Sequence, residues 1–370
     1  MDKSIVITGS HGFVGRNLTL RLTEAGYTNL SSVVRDTSSQ AFSEAVAGAD
    51  IIFHLAGANR PTDPADFRAI NADFTRKLAD LIVSGQKRPL IILSSTSKAG
   101  DTNDYGQSKK AAEDALLECC ERTKSQLAIY RLPNIFGKWC RPNYNSAVAT
   151  FCHNIARGLE ISVHDHKAPL TLLYIDDLID QWLALIASDY CSVGFVEPTS
   201  CYSTTVGHVA DTVRAFRADR ESLLIDTVGI GLTRALYATY VSALEVDDFS
   251  YSVPAYGDPR GSFSEMLKTK TSGQFSYFTA NPGVTRGGHY HHTKTEKFMV
   301  VHGEALFRFR HMLTDQTHEI RTSGNIPTIV ETIPGWSHDI TNVGTDVMIS
   351  LLWANEIFDR SRPDTIAAKV

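Results

Sequence analysis

The chain has 370 residues, of which 43% are hydrophobic and 21% charged, and its formal net charge is −5. This length is comfortable for two domains, and the composition is ordinary for a soluble globular protein. An acidic balance without a long basic run argues against nucleic acid as a partner, and no apolar stretch of about 18 residues predicts a membrane span. We expect no signal peptide, and because the six cysteines form no Cys-x-x-Cys pair we expect reduced thiols in a cytoplasmic protein.

A glycine-rich turn near the N-terminus predicts a dinucleotide-binding unit. The β-rich run 4–8 leads directly into this turn, and an amphipathic helix follows it as far as Gly26. Such a strand–turn–helix unit suits a pyrophosphate, because glycines let the backbone approach and the helix N-terminus offers free N–H groups. The candidate cofactor-binding residues in the turn are Gly9, Gly12, Phe13 and Gly15.

The ends of the next two predicted strands bear on which nicotinamide cofactor binds. Strand 30–34 ends at Arg35 and Asp36. An acidic residue there would bind a ribose 2′-hydroxyl, whereas an arginine would accommodate a 2′-phosphate. The sequence favours NADPH over NADH, and a solvated surface charge is the alternative interpretation of Arg35. The third strand ends in small residues that let a cofactor lie close, with Leu55 and Ala56 as the candidate contacts.

Hydroxyl, phenol and amine groups follow the fourth predicted strand, residues 90–94. Tyr105 and Lys109 are four apart, so they share one face of the next predicted helix. An ammonium beside a phenol favours the phenolate, so we expect a lowered pKa for Tyr105 and a role as proton donor and acceptor. A hydroxyl from segment 94–97 would hold the substrate oxygen. The alternation of strands and helices predicts an α/β fold with a doubly wound parallel sheet of the Rossmann type, in which ligands bind at the carboxyl ends of the strands.

Residues 1 to about 245 resemble an extended short-chain dehydrogenase/reductase of the nucleotide-sugar group. The resemblance rests on the features above and on Asn71, segment 131–137 and segment 174–178. It implies a catalytic set that consists of Thr96, Tyr105 and Lys109.

One departure from that family leaves the hydroxyl partner open. Only eight residues separate Thr96 from Tyr105, where most relatives have a longer loop, so Ser95 is the alternative to Thr96. We expect residues 138–240 to form the substrate-facing part. The weaker substrate candidates, which a surface loop would explain nearly as well, are Arg141, Asn143 and Asn145.

The second half of the chain predicts an all-β domain. A polar stretch with Pro254, Gly257 and Pro259 predicts a connector, and the domains are expected at 1–247 and 248–370. Short period-two strands follow between Gly, Pro and Asn turns, which is typical of a barrel or jelly roll. The predicted strands are 275–280, 297–302, 305–310, 319–321, 328–333 and 347–354.

Seven of the thirteen histidines lie after residue 288. His289 and His291 are two apart, so on a strand they would point to the same face. With Glu296 and His338 they would give three imidazoles and a carboxylate, the ligand set of a divalent ion such as zinc. The spacing resembles the two cupin motifs, which implies these four residues as metal ligands in a cupin barrel; a metal-free polar barrel is the alternative. Two further histidines fall outside the pattern, His292 and His302.

An extended reductase fused to a cupin resembles the CapF/WbjC enzymes of bacterial capsule and O-antigen biosynthesis. The resemblance implies C3 epimerisation of UDP-2-acetamido-2,6-dideoxy-4-hexulose in the cupin, then NADPH-dependent reduction of the C4 ketone. The product would be UDP-N-acetyl-6-deoxy-L-talosamine, on the route to UDP-N-acetyl-L-fucosamine. A homodimer is expected. The alternative is a 4-keto nucleotide-sugar reductase whose cupin only dimerises or binds. Whether the metal is catalytic or structural stays open, as does the base, with His292 and Lys294 as candidates.

Overall fold

The computed structural model describes residues 3–188 and 190–370. These residues form two compact units. One unit consists of the chain up to Val213 together with Ala235–Leu244, and the other of Arg214–Arg234 together with Glu245–Val370. Among the described residues, no helix combines the length and the apolar character that crossing a membrane would require.

The first part of the chain alternates strands and helices. In chain order the elements are β1 (Ile5–Thr8), α1 (Phe13–Glu24), β2 (Leu30–Val33), α2 (Ser39–Gly48), β3 (Ile51–His54), α3 (Ala65–Phe67), a π-helical turn (Arg68–Asp73), α4 (Phe74–Ser84), β4 (Leu90–Thr96), α5 (Asp104–Thr123), β5 (Gln126–Leu132), β6 (Asn134–Phe136), α6 (Ala147–Ala156), β7 (Pro169–Tyr174), α7 (Ile175–Ala187), β8 (Val193–Phe195), β9 (Tyr202–Thr205), α8 (Val206–Ser222), β10 (Leu224–Ile225) and α9 (Gly231–Val241).

The main sheet of the N-terminal unit is parallel, with strand order β2-β1-β3-β4-β5-β8. Its central strands β1 and β3 are buried along their whole length, because helices cover both faces. On one face Trp182 of α7 packs against Phe53 and Tyr130, with ring centroids 5.6 and 5.9 Å away. On the other face Val6 and Ile52 join a buried cluster with α2, α4 and α5. The predicted α/β architecture with a parallel sheet is therefore confirmed.

The strand order of this sheet reverses between β1 and β3. In open α/β sheets, ligands bind in the crevice that such a reversal leaves at the carboxyl ends of the strands. The glycine turn follows β1 at this edge, and Thr96 ends β4 at the same edge. The fold thus places the N-terminal candidate residues where the architecture provides a crevice. A smaller sheet has the order β6-β7-β9.

The C-terminal unit is built from strands. After a 3₁₀ turn (Val246–Phe249) they are β11 (Tyr256–Asp258), β12 (Gly261–Thr269), β13 (Gly273–Ala280), β14 (Thr285–Tyr290), β15 (Glu296–His302), β16 (Glu304–His311), β17 (Thr317–Ser323), β18 (Val330–Glu331), β19 (Trp336–Asn342), β20 (Met348–Ala354) and β21 (Ile366–Ala367). The all-β character predicted from the sequence is confirmed.

These strands form two sheets that share one apolar core. One sheet has the order β10-β12-β13-β20-β15-β18, with β11 beside β12, and the other has the order β17-β16-β19-β14-β21. Phe278, Phe298 and Met348 of the first sheet pack in one buried cluster with Phe307 and Ile340 of the second. Period-two alternation on each inner face supplies this core.

Three strands of six or more residues lie where the sequence pattern predicts none: β12, β14 and β19. β14 reads Thr-Arg-Gly-Gly-His-Tyr, and its two glycines depress the β-propensity that the prediction relies on. Conversely, the predicted strand 328–333 contains only the two-residue strand β18. β14 and β19 matter for function, because they carry two of the candidate metal ligands.

We expect Trp182→Ala to destabilise the N-terminal unit by about 3–5 kcal/mol, because the indole is fully buried and bridges two strands. The measurement is equilibrium urea unfolding followed by circular dichroism. The matched control is Trp139→Ala, whose side chain is 47% exposed and should cost only about 0.5 kcal/mol. Equal losses for the two variants would contradict the packing described for α7.

Candidate functional site

The glycine turn after β1 has the shape and the free donors of an anion site. Gly9 has a φ of +72°, and a Cβ there would lie 2.8 Å from the amide nitrogen of Ala56. A Cβ on Gly15 would overlap the carbonyl oxygen of Gly9, so neither position accepts a side chain. Helix α1 begins after Gly12 without a side-chain cap, which leaves its first N–H groups available. The hydroxyl of Ser10 is buried and has no hydrogen-bond partner among the described residues. These residues fit the pyrophosphate of a dinucleotide.

A buried network fixes the backbone opposite this turn. The Oγ1 of Thr8 accepts hydrogen bonds from the amides of Leu55 and Ala56, both at 3.1 Å, and bonds to Nδ1 of His54 at 2.8 Å. Burial lowers the pKa of His54 to about 3, and the nearby Lys109 adds to this effect, so the imidazole is neutral. Leu55 and Ala56 can be predicted from the sequence as cofactor contacts, but the network that positions them cannot. Arg35 is exposed just beyond the end of β2.

Three candidate catalytic side chains converge beside the carboxyl end of β4. Asn103 caps the first turn of α5, which places Tyr105 in that turn and Lys109 one turn later. The Thr96 side chain lies close enough to the Tyr105 phenol to lower its pKa. The Nζ of Lys109 donates to the carbonyl oxygen of Ser94 at 2.8 Å. The structure therefore brings Thr96, Tyr105 and Lys109 together around one end of the strand.

Ser95 points away from this group, because successive side chains alternate across a strand. Its hydroxyl donates to Oε1 of Glu113 at 2.5 Å. Glu113 is fully buried and also accepts two hydrogen bonds from Arg131, at 3.1 and 2.7 Å. The Ser95 hydroxyl is thus occupied in the interior, and the geometry favours Thr96 as the hydroxyl beside Tyr105. Glu113 carries a sequence signal of its own, since it lies one helical turn after Lys109.

The protonation of this group differs from the sequence-based expectation. Burial raises the pKa of Tyr105, and the nearby Thr96 side chain opposes this only in part. Burial also lowers the pKa of Lys109 to about 8, against the effect of the Glu113 carboxylate. The expected lowering of the Tyr105 pKa is therefore wrong for this structure, because desolvation of the phenol outweighs the effect of Thr96. Tyr105 is protonated at neutral pH.

The weaker substrate candidates lie on an exposed loop after β6. Arg141 stacks on the ring of Tyr144, 4.9 Å from its centroid, and the side chain of Asn143 is 3.4 Å from that of Asn154. Asn145 is exposed. Within the described chain, no hydrogen bond or ion pair joins Arg141, Asn143 or Asn145 to the group around Tyr105. A contact that the sequence does not predict fastens this loop, since Arg60 donates to the backbone carbonyl of Tyr144 at 2.8 Å.

In the C-terminal unit, the four candidate metal ligands form one cluster whose ligand atoms all lie within 4.8 Å of one another. His289 in β14 faces His338 in β19 across an antiparallel register, with ring centroids 4.7 Å apart. His291 lies one residue beyond β14, and its Nε2 is 3.4 Å from Oε2 of Glu296. Glu296 begins β15, which belongs to the other sheet. The cluster is therefore assembled from both sheets, although the sequence pattern suggests a common strand for its first two histidines.

The protonation and hydrogen bonding of the cluster suit a divalent ion. Both ring nitrogens of His338 are buried, and neither makes a hydrogen bond of 3.5 Å or less within the described part of the chain, although Nε2 lies 3.6 Å from Oε2 of Glu296. Burial and the neighbouring His338 lower the pKa of His289 to about 4, so that imidazole is neutral. Burial would raise the pKa of Glu296, but His291, His338 and the Lys294 ammonium outweigh it and keep the carboxyl ionised. Neutral imidazoles and a carboxylate are the ligand states that zinc requires, so these residues fit the ion.

A cavity of about 160 Å³ adjoins this cluster. Aromatic and aliphatic side chains form most of its wall, among them Phe263 and Leu352. The wall also includes Arg286, whose Nε is buried and, among the described residues, has no hydrogen-bond partner. Asp339, also in the wall, is paired with Arg308 at 3.0 and 2.8 Å. Sequence patterning does not single out Arg286 or Asp339, although Arg286 lies only three residues before His289.

We expect the full-length protein to bind one divalent ion, and His338→Ala to weaken zinc binding by at least about 100-fold, because a ligand is lost from a small cluster. Competition with a chromophoric chelator measures the affinity. His302→Ala is the matched control, since His302 is exposed at the end of β15 and should leave the affinity unchanged. Indistinguishable affinities for the two variants would show that the cluster is not the ion site.

Both halves of the chain match families of known proteins. Residues 5–194 match the NAD dependent epimerase/dehydratase family, and residues 256–366 match the polysaccharide biosynthesis C-terminal domain. The chain is 49% identical over 366 residues to the UDP-2-acetamido-2,6-beta-L-arabino-hexul-4-ose reductase of Pseudomonas aeruginosa, a match that covers 99% of this chain and 98% of that relative.

Solved structures support the same family relationship. The crystal structure of the capsular polysaccharide assembling protein CapF from Staphylococcus aureus is 39% identical with a TM-score of 0.92, and the match covers 99% of this chain and 100% of that chain. The Bordetella bronchiseptica enzyme WbmF in complex with NAD+ is 16% identical with a TM-score of 0.56 over 65% of this chain and 92% of that chain, which shows the fold alone. The chain therefore belongs to the NAD dependent epimerase/dehydratase family, among the CapF-like proteins that continue into a polysaccharide biosynthesis C-terminal domain.

Proposed function

We propose that the protein reduces the C4 ketone of a UDP-linked 4-keto-6-deoxy amino sugar with NADPH, and epimerises the same sugar at C3. Residues 1–247 would form the reductase part and residues 248–370 a metal-binding cupin. The observation that carries the reductase proposal is the grouping of Thr96, Tyr105 and Lys109 beside the glycine turn. The full-length relative named as a hexul-4-ose reductase supports the substrate class.

The reduction needs a hydride at C4 and a proton at the C4 oxygen. NADPH, when bound, supplies the hydride. Tyr105 donates the proton, since burial keeps its phenol protonated at neutral pH. Thr96 lies close to the same phenol, so its hydroxyl can orient the ketone oxygen toward Tyr105. The Nζ of Lys109 donates to the Ser94 carbonyl, and Lys109 lies one helical turn after Tyr105. Its ammonium therefore favours the phenolate that remains after Tyr105 has donated its proton.

The preference for NADPH is part of the proposal. Arg35 lies beyond β2, which is the neighbour of β1 in the sheet, and its side chain is exposed. An arginine at this place accommodates a 2′-phosphate through charge-assisted hydrogen bonds. The neighbouring Asp36 is exposed as well. A 2′-phosphate would be attracted by the Arg35 guanidinium and repelled by the Asp36 carboxylate.

Epimerisation at C3 is assigned to the cavity beside the histidine cluster. A divalent ion, when bound by the four clustered residues, would supply Lewis acidity toward the ketone. The wall of the cavity is mostly apolar, and the Nε of Arg286, which has no hydrogen-bond partner among the described residues, can donate to an oxygen of the substrate. Of the two base candidates, Lys294 is held by Glu296 at 3.0 Å, and His292 is exposed.

The chemistry of the sugar fixes the order of the two reactions. The C3 proton is acidic only while C4 is a ketone, because the carbonyl stabilises the carbanion that its removal leaves. Reduction turns C4 into an alcohol and ends this acidity. Epimerisation must therefore precede reduction, and the final product would be UDP-N-acetyl-6-deoxy-L-talosamine.

The test uses the full chain, the 4-keto sugar, NADPH and deuterium oxide, with products identified by NMR. We expect Tyr105→Phe to lower C4 reduction by about 10³-fold, since it removes the proton donor, while deuterium still enters at C3. We expect His338→Ala to abolish the C3 exchange. Tyr256→Phe, a change at a tyrosine that is 58% exposed, is the control for both reactions.

Two outcomes of this test would count against the proposal. Deuterium at C3 in His338→Ala would show that the cluster does not serve epimerisation, and a reductase with a non-catalytic C-terminal part would stand instead. Undiminished reduction by Tyr105→Phe would remove the assigned proton donor.

The pH dependence of reduction should report on Lys109. Its pKa is lowered to about 8, so the ammonium is present at neutral pH and is lost as the pH rises above about 8. We expect kcat/KM for reduction to be level near neutrality and to fall about tenfold per pH unit above that value. Glu113→Gln should move this fall to lower pH, because the carboxylate raises the pKa of Lys109. A fall that begins only above about pH 10, the ordinary lysine range, would contradict the assignment.

A further inference from the structure

Residues 359–370, called the strap, run along the strands that carry the histidine cluster. Within the strap, β21 pairs with β14, and Ala367 lies in register with His289. The amide of Ala368 donates to the carbonyl of Gly288 at 2.9 Å, and the hydroxyl of Ser337 donates to the carbonyl of Ala368 at 2.6 Å. The strap therefore contacts both strands that carry candidate ligands, β14 and β19.

One residue of the strap holds the loop between two of the ligands. The carboxylate of Asp364 accepts hydrogen bonds from three successive amides, those of His292 at 2.9 Å, Thr293 at 2.7 Å and Lys294 at 2.8 Å. It also accepts the hydroxyl of Thr293 at 3.1 Å. These amides belong to the short connection from His291 to Glu296. A single side chain thus satisfies three backbone amides of the loop that connects two ligands.

The backbone of Asp364 acts on His291 itself. Its carbonyl oxygen forms a hydrogen bond with Nδ1 of His291. A carbonyl only accepts, so Nδ1 donates this bond and Nε2 is the ring nitrogen that remains to bind an ion. That Nε2 is the atom 3.4 Å from Oε2 of Glu296, inside the cluster.

We propose that Asp364 is a positioning residue for the metal site: its carboxylate shapes the 291–296 loop and its carbonyl selects the His291 tautomer that can bind an ion. The inference rests on the proposed function, in which the cluster holds a divalent ion. Groups that orient metal ligands from outside the coordination sphere typically change metal affinity by about 10–100-fold. The strap is the source of such a group here, and it reaches the loop from more than 70 residues away in sequence.

The experiment compares Asp364→Asn and Asp364→Ala with the matched control Asp359→Asn in the full-length protein. Asp359 lies in the same strap, but its carboxylate accepts from the amide and hydroxyl of Ser361. We expect zinc affinity, measured by chelator competition, to fall about 10–100-fold in Asp364→Ala and by less in Asp364→Asn, which keeps one acceptor oxygen. Asp359→Asn should bind as the wild type does.

A second measurement tests the hydrogen bonds between the 292–294 amides and Asp364 in the metal-free protein. Hydrogen exchange of the 292–294 amides in the metal-free protein should accelerate in the Asp364 variants, relative to amides of β16 in the same molecule. Acceleration confined to the loop supports the inference. Equal acceleration in β16 would show general unfolding and overturn it.

The outcomes separate this inference from the proposed function. If the wild type binds one ion and Asp364→Ala binds it equally tightly, the positioning role is wrong while the metal site stands. If the wild type binds no ion, the metal site of the proposed function falls, and the role of Asp364 in that site falls with it.

Discussion

A polar group buried without a hydrogen-bond partner costs roughly 1–3 kcal/mol, and this cost organises both units. Where the chain itself supplies the partners, it builds a frame, as with Glu113 between Ser95 and Arg131. At two places in the candidate sites the described chain supplies no such partner, and a bound ligand would provide it. The Ser10 hydroxyl lies at the glycine turn, and the His338 nitrogens lie in the cluster. The satisfied groups hold the geometry of each site, and the unsatisfied ones mark where chemistry is expected.

The N-terminal unit could largely be predicted from sequence because its signals are local. Apolar runs, a glycine turn and a Tyr–Lys pair one helical turn apart each need only a short window. The choice between Ser95 and Thr96 needs more, since it depends on which face of β4 meets Glu113. The pKa of Tyr105 needs more still, because the amount of water around a phenol is a property of the packed structure.

The C-terminal unit shows the opposite balance. The identity of the four clustered residues follows from their chemistry, but their arrangement does not, since Glu296 arrives from a different sheet from His289 and His338. The strand that carries His289 has two glycines and no clear period, so its pattern is weak. No local sequence pattern identifies Asp364, because only the folded chain brings it into contact with the loop after His291.

The origin of the cluster in two sheets has a mechanical consequence. An ion held by His289, His338 and Glu296 would link one sheet to the other. Part of its binding free energy would then stabilise the packing of the two sheets. At a free concentration one hundred times its dissociation constant, such an ion adds about 2.7 kcal/mol to the free energy of unfolding. Removing it would then loosen the C-terminal half as a whole, and protease susceptibility there would track the supply of metal in the surroundings.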